Sequence, residues 1–231
     1  MKNLKTNTTI FTIILVFGLS LISCKENNRE QDTISGNQEI LRQGEDTSTR
    51  TYRAQISSIN AGANGNRNVT GNVTLEVQGD QLHITVEASG LEPDMMHLQH
   101  LHGLKEGNGI SCPDPSADNN NDGLVDITEA YDVAGVTMIP FHNNPPNMEV
   151  DTQTYPTADE NGNISYKQTV DLNELRNSFN ERFDWEELDF SKFTYLIHGV
   201  EENAVPETVN SVKGLPPHVT LPVGCGQLSE D

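Results

Sequence analysis

Basic residues are scarce in this chain. Its 231 residues include 14 lysines and arginines against 34 aspartates and glutamates, a formal charge of −20. Phosphate backbones and anionic lipid surfaces repel so acidic a protein, which argues against nucleic acid or lipid headgroups as partners. Cysteine is limited to three residues, Cys24, Cys112 and Cys225. After the apolar run from Ile10 to Leu21, no second segment is long enough to cross a membrane. There is no internal repeat, and no histidine lies between His142 and His198.

The N-terminus reads as an export signal. Lys2 and Lys5 precede the apolar run, which is short for a membrane span and ends in Leu21-Ile22-Ser23-Cys24. That ending resembles a bacterial lipobox, in which the cysteine takes the lipid and becomes the first residue of the mature protein. The expected organisation is a lipoprotein signal peptide over 1–23, a polar tether over 24–50 and one domain over 51–231. The tether holds almost no apolar residues, so it cannot bury enough surface to offset its ordering entropy. Lipid-anchored in this way, the chain belongs to the cell envelope, outside the cytoplasm. Cys112 and Cys225 remain as an even pair in an exported protein, which reads as a disulfide.

The domain reads as short strands separated by Gly and Pro turns. Val73, Leu75 and Val77 alternate with polar residues; Gly79-Asp80 signals a hairpin; Leu82, Ile84 and Val86 share a face of the returning strand. Further strands are expected at 52–59, 136–141, 164–170 and 193–200, and the end, 221–228, includes Cys225-Gly226. Residues 103–133 are expected to be loop. One short helix is expected after Asp171-Leu172-Asn173-Glu174, where an acidic cap precedes Leu172, Leu175, Phe179 and Phe183 at helical spacing. This pattern argues for an all-β antiparallel sandwich or barrel.

Two stretches carry metal chemistry. In His97-Leu98-Gln99-His100-Leu101-His102, strand alternation turns His100 and His102 to one face and Leu101 to the other. Two imidazoles on one strand face can grip one metal ion with little rearrangement. His97 has the opposite parity. The second stretch, 118–129, follows the twelve-residue calcium-loop template. Asp118, Asn120, Asp122, Asp126 and Glu129 supply side-chain oxygens, Leu124 a carbonyl, and Gly123 the tight turn. Pro113 and Pro115 precede it, so a full helix–loop–helix hand is not expected.

In order along the chain stand Gly90-Leu91, His97, His100, His102, Cys112, His142, Ala158-Asp159-Glu160-Asn161-Gly162, His198 and Cys225-Gly226. This succession resembles the copper–zinc superoxide dismutase family from about residue 52 to 228. The resemblance implies a Greek-key, immunoglobulin-like sandwich. It implies His100, His102 and His198 as copper ligands, His142 as the histidine that bridges to zinc, His97 as an internal support, and a Cys112–Cys225 disulfide. The departures point to copper without zinc. The remaining zinc histidines are missing, and Pro222 stands where the family has an arginine that attracts the superoxide anion. Lys213 or His218 could supply a cation instead. Three functions follow as expectations: a copper-dependent dismutase-like lipoprotein acting on superoxide, a non-catalytic protein that holds or delivers copper, and a cell-surface binding domain stabilised by calcium alone. The missing arginine and zinc histidines favour the second over a full enzyme, and the retained histidines disfavour the third.

Overall fold

The computed structural model describes residues 48–105, 110–150, 152–185 and 187–231. The expected signal peptide, Cys24 and nearly all of the expected tether lie outside these residues. The first strand starts at Thr49, two residues before the expected domain boundary.

Among the described residues are nine strands: β1 (Thr49–Ser58), β2 (Thr70–Gln78), β3 (Gln81–Ser89), β4 (Gln99–Gly103), β5 (Val136–Pro140), β6 (Ile164–Asp171), β7 (Thr194–His198), β8 (Pro222–Gln227) and β9 (Ser229–Glu230). Every pairing is antiparallel, in the order β5-β4-β7-β8-β1-β2-β3-β6, with β9 beside β1. The path does not close on itself. β1 joins two halves: most of its length pairs with β2, while Ser57 and Ser58 pair with β8. The sheet curls around one core, giving an all-β, sandwich-like domain.

Alternation sets that core. Val73, Leu75 and Val77 of β2 face Val86, Ile84 and Leu82 of β3, register partners across the Gly79-Asp80 turn. Their side chains meet Tyr52, Ala54 and Ile56 from β1 and Leu101, Ile139, Tyr195, Ile197 and Val223 from the other half. The expected helix forms as Leu172–Phe183, capped by the Asp171 carboxylate, which accepts from the Asn173 and Glu174 amides. Leu172, Leu175 and Phe179 are buried, with Phe179 against Trp185 and Phe193.

The domain's sequence predicts one helix, and the described residues hold three. Besides that one, α1 spans Ile127–Ala134 and α3 spans Pro217–Thr220; the helix at Leu172–Phe183 is α2. The 103–133 segment therefore ends in a helix. The physical reason lies in its first residues. Asp126-Ile127-Thr128-Glu129 repeats the Asp-x-x-Glu signature seen at 171–174, and here it closes a reciprocal capping box. The Glu129 amide donates to Asp126 Oδ1 at 3.1 Å, and the Asp126 amide to Glu129 Oε2 at 2.9 Å.

α1 and the chain before it lie over the outer face of β7 and β8. Ile59, Ala117, Val125, Ala130, Ala134, Leu196 and Cys225 form a second, smaller cluster there. The Cys112–Cys225 disulfide stitches this layer to β8, joining residues 113 apart. An antiparallel sheet usually leaves one face to water. Here both faces of β4 and β7 are covered, so all ten of their residues are buried.

A buried three-histidine candidate metal centre

The second, covered face holds the site. β4 turns Leu101 into the main core, so His100 and His102 point outward under the α1 layer. In β7, Tyr195 and Ile197 point inward, which leaves Leu196 and His198 outside. His100 pairs with Leu196 in register, so His198 lies diagonally across from it. Two irregularities of register adjoin the histidines: one between Leu101 and His102 against β5, one between Ile197 and His198 against β8. Bulges of this kind re-aim side chains beside sites.

The three rings converge. Their centroids lie 5.9 Å (His100–His102), 5.3 Å (His100–His198) and 5.6 Å (His102–His198) apart. One ring nitrogen from each falls within 4.8 Å of the others. The other nitrogens are held by the protein. His198 Nδ1 donates to the Thr220 carbonyl at 2.9 Å, and His102 Nδ1 donates to the Gly135 carbonyl at 3.0 Å. His100 Nε2 lies 2.8 Å from the Tyr155 hydroxyl. These bonds select tautomers that leave lone pairs on His102 Nε2 and His198 Nε2, and on His100 Nδ1 when Nε2–H donates to Tyr155. Gly135 can hold His102 because it has no side chain. Its φ is +82°, and a Cβ there would come within 2.3 Å of the Gly103 carbonyl carbon.

The rings are neutral at physiological pH. Burial, then the charges His198, His102 and His142 would carry, holds His100 well below the usual imidazole value. Burial takes His102 down to about 4, and burial with the neighbouring His102 takes His198 down to about 3. His100 Nδ1 and His198 Nε2 are buried with no hydrogen-bond partner. An unsatisfied buried polar atom costs about 1–3 kcal/mol. Such atoms on two of three histidines grouped at ligand spacing are what a bound transition-metal ion would satisfy, and imidazole nitrogen suits such ions. A cavity of about 20 Å³ opens beside His100 and His198, large enough for about one water.

The remaining expected residues fall elsewhere. His97 lies outside the group of three. It precedes β4 fully buried, with Nδ1 2.9 Å from the His198 carbonyl and Nε2 2.9 Å from the Glu92 carbonyl, so it braces the backbone beside His198. His142 is also outside that group. Its Nδ1 accepts from the Asn144 amide at 3.0 Å and its Nε2 donates to the Glu149 carbonyl at 2.7 Å, so local backbone occupies both nitrogens. Pro222 opens β8, buried and uncharged, across from His198. In the 118–129 segment most side-chain oxygens bind the loop's own groups, while Asp126 Oδ2 accepts from Asn210. Asp118 accepts from the Asp122 and Gly123 amides, Asn120 from the Asp122 amide, and Asp122 from the Leu124 amide. Glu129 accepts from the Asn119 and Asn120 amides as well as capping α1.

Sequence reasoning missed Tyr155, which stands between His100 and His142 with ring centroids 5.3 and 5.2 Å away. Nothing in Gln153-Thr154-Tyr155-Pro156 signals it, because its partner lies 55 residues earlier. It also missed the carbonyls of Gly135 and Thr220, which no side-chain motif reveals. No family model and no curated protein matches the chain.

Proposed function

We propose that the chain is a copper-binding protein of superoxide dismutase-like character, held at the cell envelope by a lipid on Cys24. The observation that carries this reading is the pair of unpartnered buried nitrogens, His100 Nδ1 and His198 Nε2, on two of the three histidines that are grouped at ligand spacing. The ordered succession of His97, His100, His102, Cys112, His198 and Cys225-Gly226 supports it, with a Greek-key sandwich as the implied topology. The Cys112–Cys225 bond supports it too, since it pairs the two cysteines as the family does. Copper in this site would supply one-electron cycling, by which two superoxide ions and two protons become dioxygen and hydrogen peroxide. The chain's own residues do the rest. His100, His102 and His198 offer neutral nitrogen donors, Tyr155, Gly135 and Thr220 fix their ring orientation, and the apolar walls from Leu98, Ile127 and Val150 limit water. We read residues 118–129 as a calcium loop. Its alternating oxygen side chains support this, as do the left-handed turns at Asn121 (φ +61°) and Gly123 (φ +89°).

A second reading, copper holding or delivery without turnover, is favoured by the near-complete burial of the three histidines and by the neutral Pro222. Metal analysis of the purified domain, electron paramagnetic resonance of the copper-loaded form and a superoxide decay assay test both. One copper per chain with several nitrogen ligands and faster superoxide decay supports the enzyme. The same copper without faster decay supports the holding protein. No stoichiometric copper overturns both, leaving the calcium-stabilised surface domain.

A further inference from the structure

One short stretch of chain grips His102 at both ring nitrogens. Gly135 leads into β5, whose first residue, Val136, is 40% exposed and points away from the covered face. Alternation then turns Thr137 back toward the histidines. Thr137 is the register partner of His102 and lines the cavity beside His100 and His198. Its hydroxyl lies 3.4 Å from His102 Nε2. The roles in that contact are fixed, because His102 Nδ1 spends its proton on the Gly135 carbonyl at 3.0 Å. Nε2 is therefore the acceptor and the Thr137 hydroxyl the donor. The three histidines are not alike in this respect. His100 Nδ1 and His198 Nε2 have no hydrogen-bond partner, whereas the one lone pair left on His102 is already taken. A metal ion that draws one nitrogen from each histidine must displace the Thr137 proton. The displaced hydroxyl borders a cavity with room for about one water, which can then satisfy it.

We propose that Thr137 sets the metal affinity of this site from within: its hydroxyl holds the His102 lone pair in the metal-free fold, and the ion binds only by displacing it. This rests on the copper reading above. It adds that part of the site's affinity is given up in advance, which eases release. Thr137→Val keeps the branched shape and removes the donor; Thr137→Ser keeps the donor. Without the hydroxyl, a third buried nitrogen is bare in the metal-free protein, whereas in the loaded protein the ion satisfies it. The unloaded state alone is penalised, so binding gains what folding loses. In Thr137→Val, copper(I) affinity, read by competition with a chromophoric chelator, is expected to rise roughly tenfold. The urea midpoint of the metal-free protein should fall, and Thr137→Ser should stay near the parent in both measurements. A hydroxyl that merely steered the ring would give the opposite sign, a loss of affinity on removal. Nitrogen-15 resonances of the metal-free parent give a second measure that needs no substitution. His102 Nε2, as an acceptor, should stand upfield of the bare His198 Nε2. Affinity unchanged or lowered in Thr137→Val, or equal shifts of those two nitrogens, overturns the role of Thr137 and leaves the copper site standing. Failure of the parent protein to take up copper overturns both.

Discussion

His100 shows how much one side chain's surroundings decide. One ring nitrogen has no partner and the other meets the Tyr155 hydroxyl at 2.8 Å, so the phenol sets which nitrogen is bare. Tyr155→Phe keeps the ring and removes that partner. Metal affinity is expected to fall about 10- to 100-fold, measured by competition with a chelator of known strength, while the fold stays intact by circular dichroism. An unchanged affinity would mean that the hydroxyl has no part in orienting His100. His198→Ala removes a ligand outright, and several-nitrogen coupling in the copper resonance spectrum should give way to fewer nitrogens. His142→Ala should leave that spectrum alone, because its nitrogens are spent on Asn144 and Glu149.

Among the elements, α1 with the chain before it matters most, because it roofs the histidines. Its attachment to β8 is the Cys112–Cys225 bond. Replacing both cysteines by serine is expected to lower stability by roughly 4–5 kcal/mol in the chain-entropy account of a loop of this size. Denaturant midpoints of the two proteins give the comparison. The start of α1 tests the calcium reading. Glu129→Gln can still bond the Asp126 amide, so the helix cap survives. It loses the charge that a calcium ion needs. One amide oxygen cannot also accept from the Asn119 and Asn120 amides, so the melting temperature without calcium should fall modestly, whereas the rise produced by millimolar calcium should disappear. A calcium-driven rise that persists in the variant would remove Glu129 from the ligand set.

These elements also show what could be read in advance. Val73, Leu75 and Val77 opposite Leu82, Ile84 and Val86 were legible because a half-buried strand imposes a period of two. The parity of His100 and His102 was legible for the same reason. α1 was not, because Asp126 and Glu129 fit a calcium template and a helix cap equally well, and no apolar periodicity preceded them. The backbone contacts of His142 were hidden because they depend on how a proline-rich bend folds.

At the scale of the whole molecule, the buried histidines couple folding to pH. In the unfolded chain they take up a proton near 6.5; in the fold, His102 does so near 4 and His198 near 3. Their folded values are depressed, so the stability they permit is fully present above about 6.5. It is lost as pH falls through that value toward 4 and 3, because the unfolded chain binds the protons first. His102 alone accounts for about 3 kcal/mol across that window, at about 1.4 kcal/mol per pH unit. Urea midpoints of the metal-free domain at a series of pH values should show the decline beginning near 6.5, and His102→Gln should shrink it. A flat profile down to pH 4 would mean that water reaches the rings.

The sheet order has a consequence for the time course of biosynthesis. β4 and β7 are neighbours in space, yet His100 waits for His198, for the Thr220 carbonyl that aims it, and for Cys225, which closes the roof. At roughly 5–20 residues per second, the first histidine precedes the rest of its site by about 10 s of synthesis. Throughout that interval the nascent chain holds His100 and His102 without His198, the third member of the group. The finished three-ring geometry exists only after the polypeptide has passed residue 225. On the copper and envelope readings proposed above, metal choice would belong to the compartment in which folding is completed rather than to the one in which translation begins.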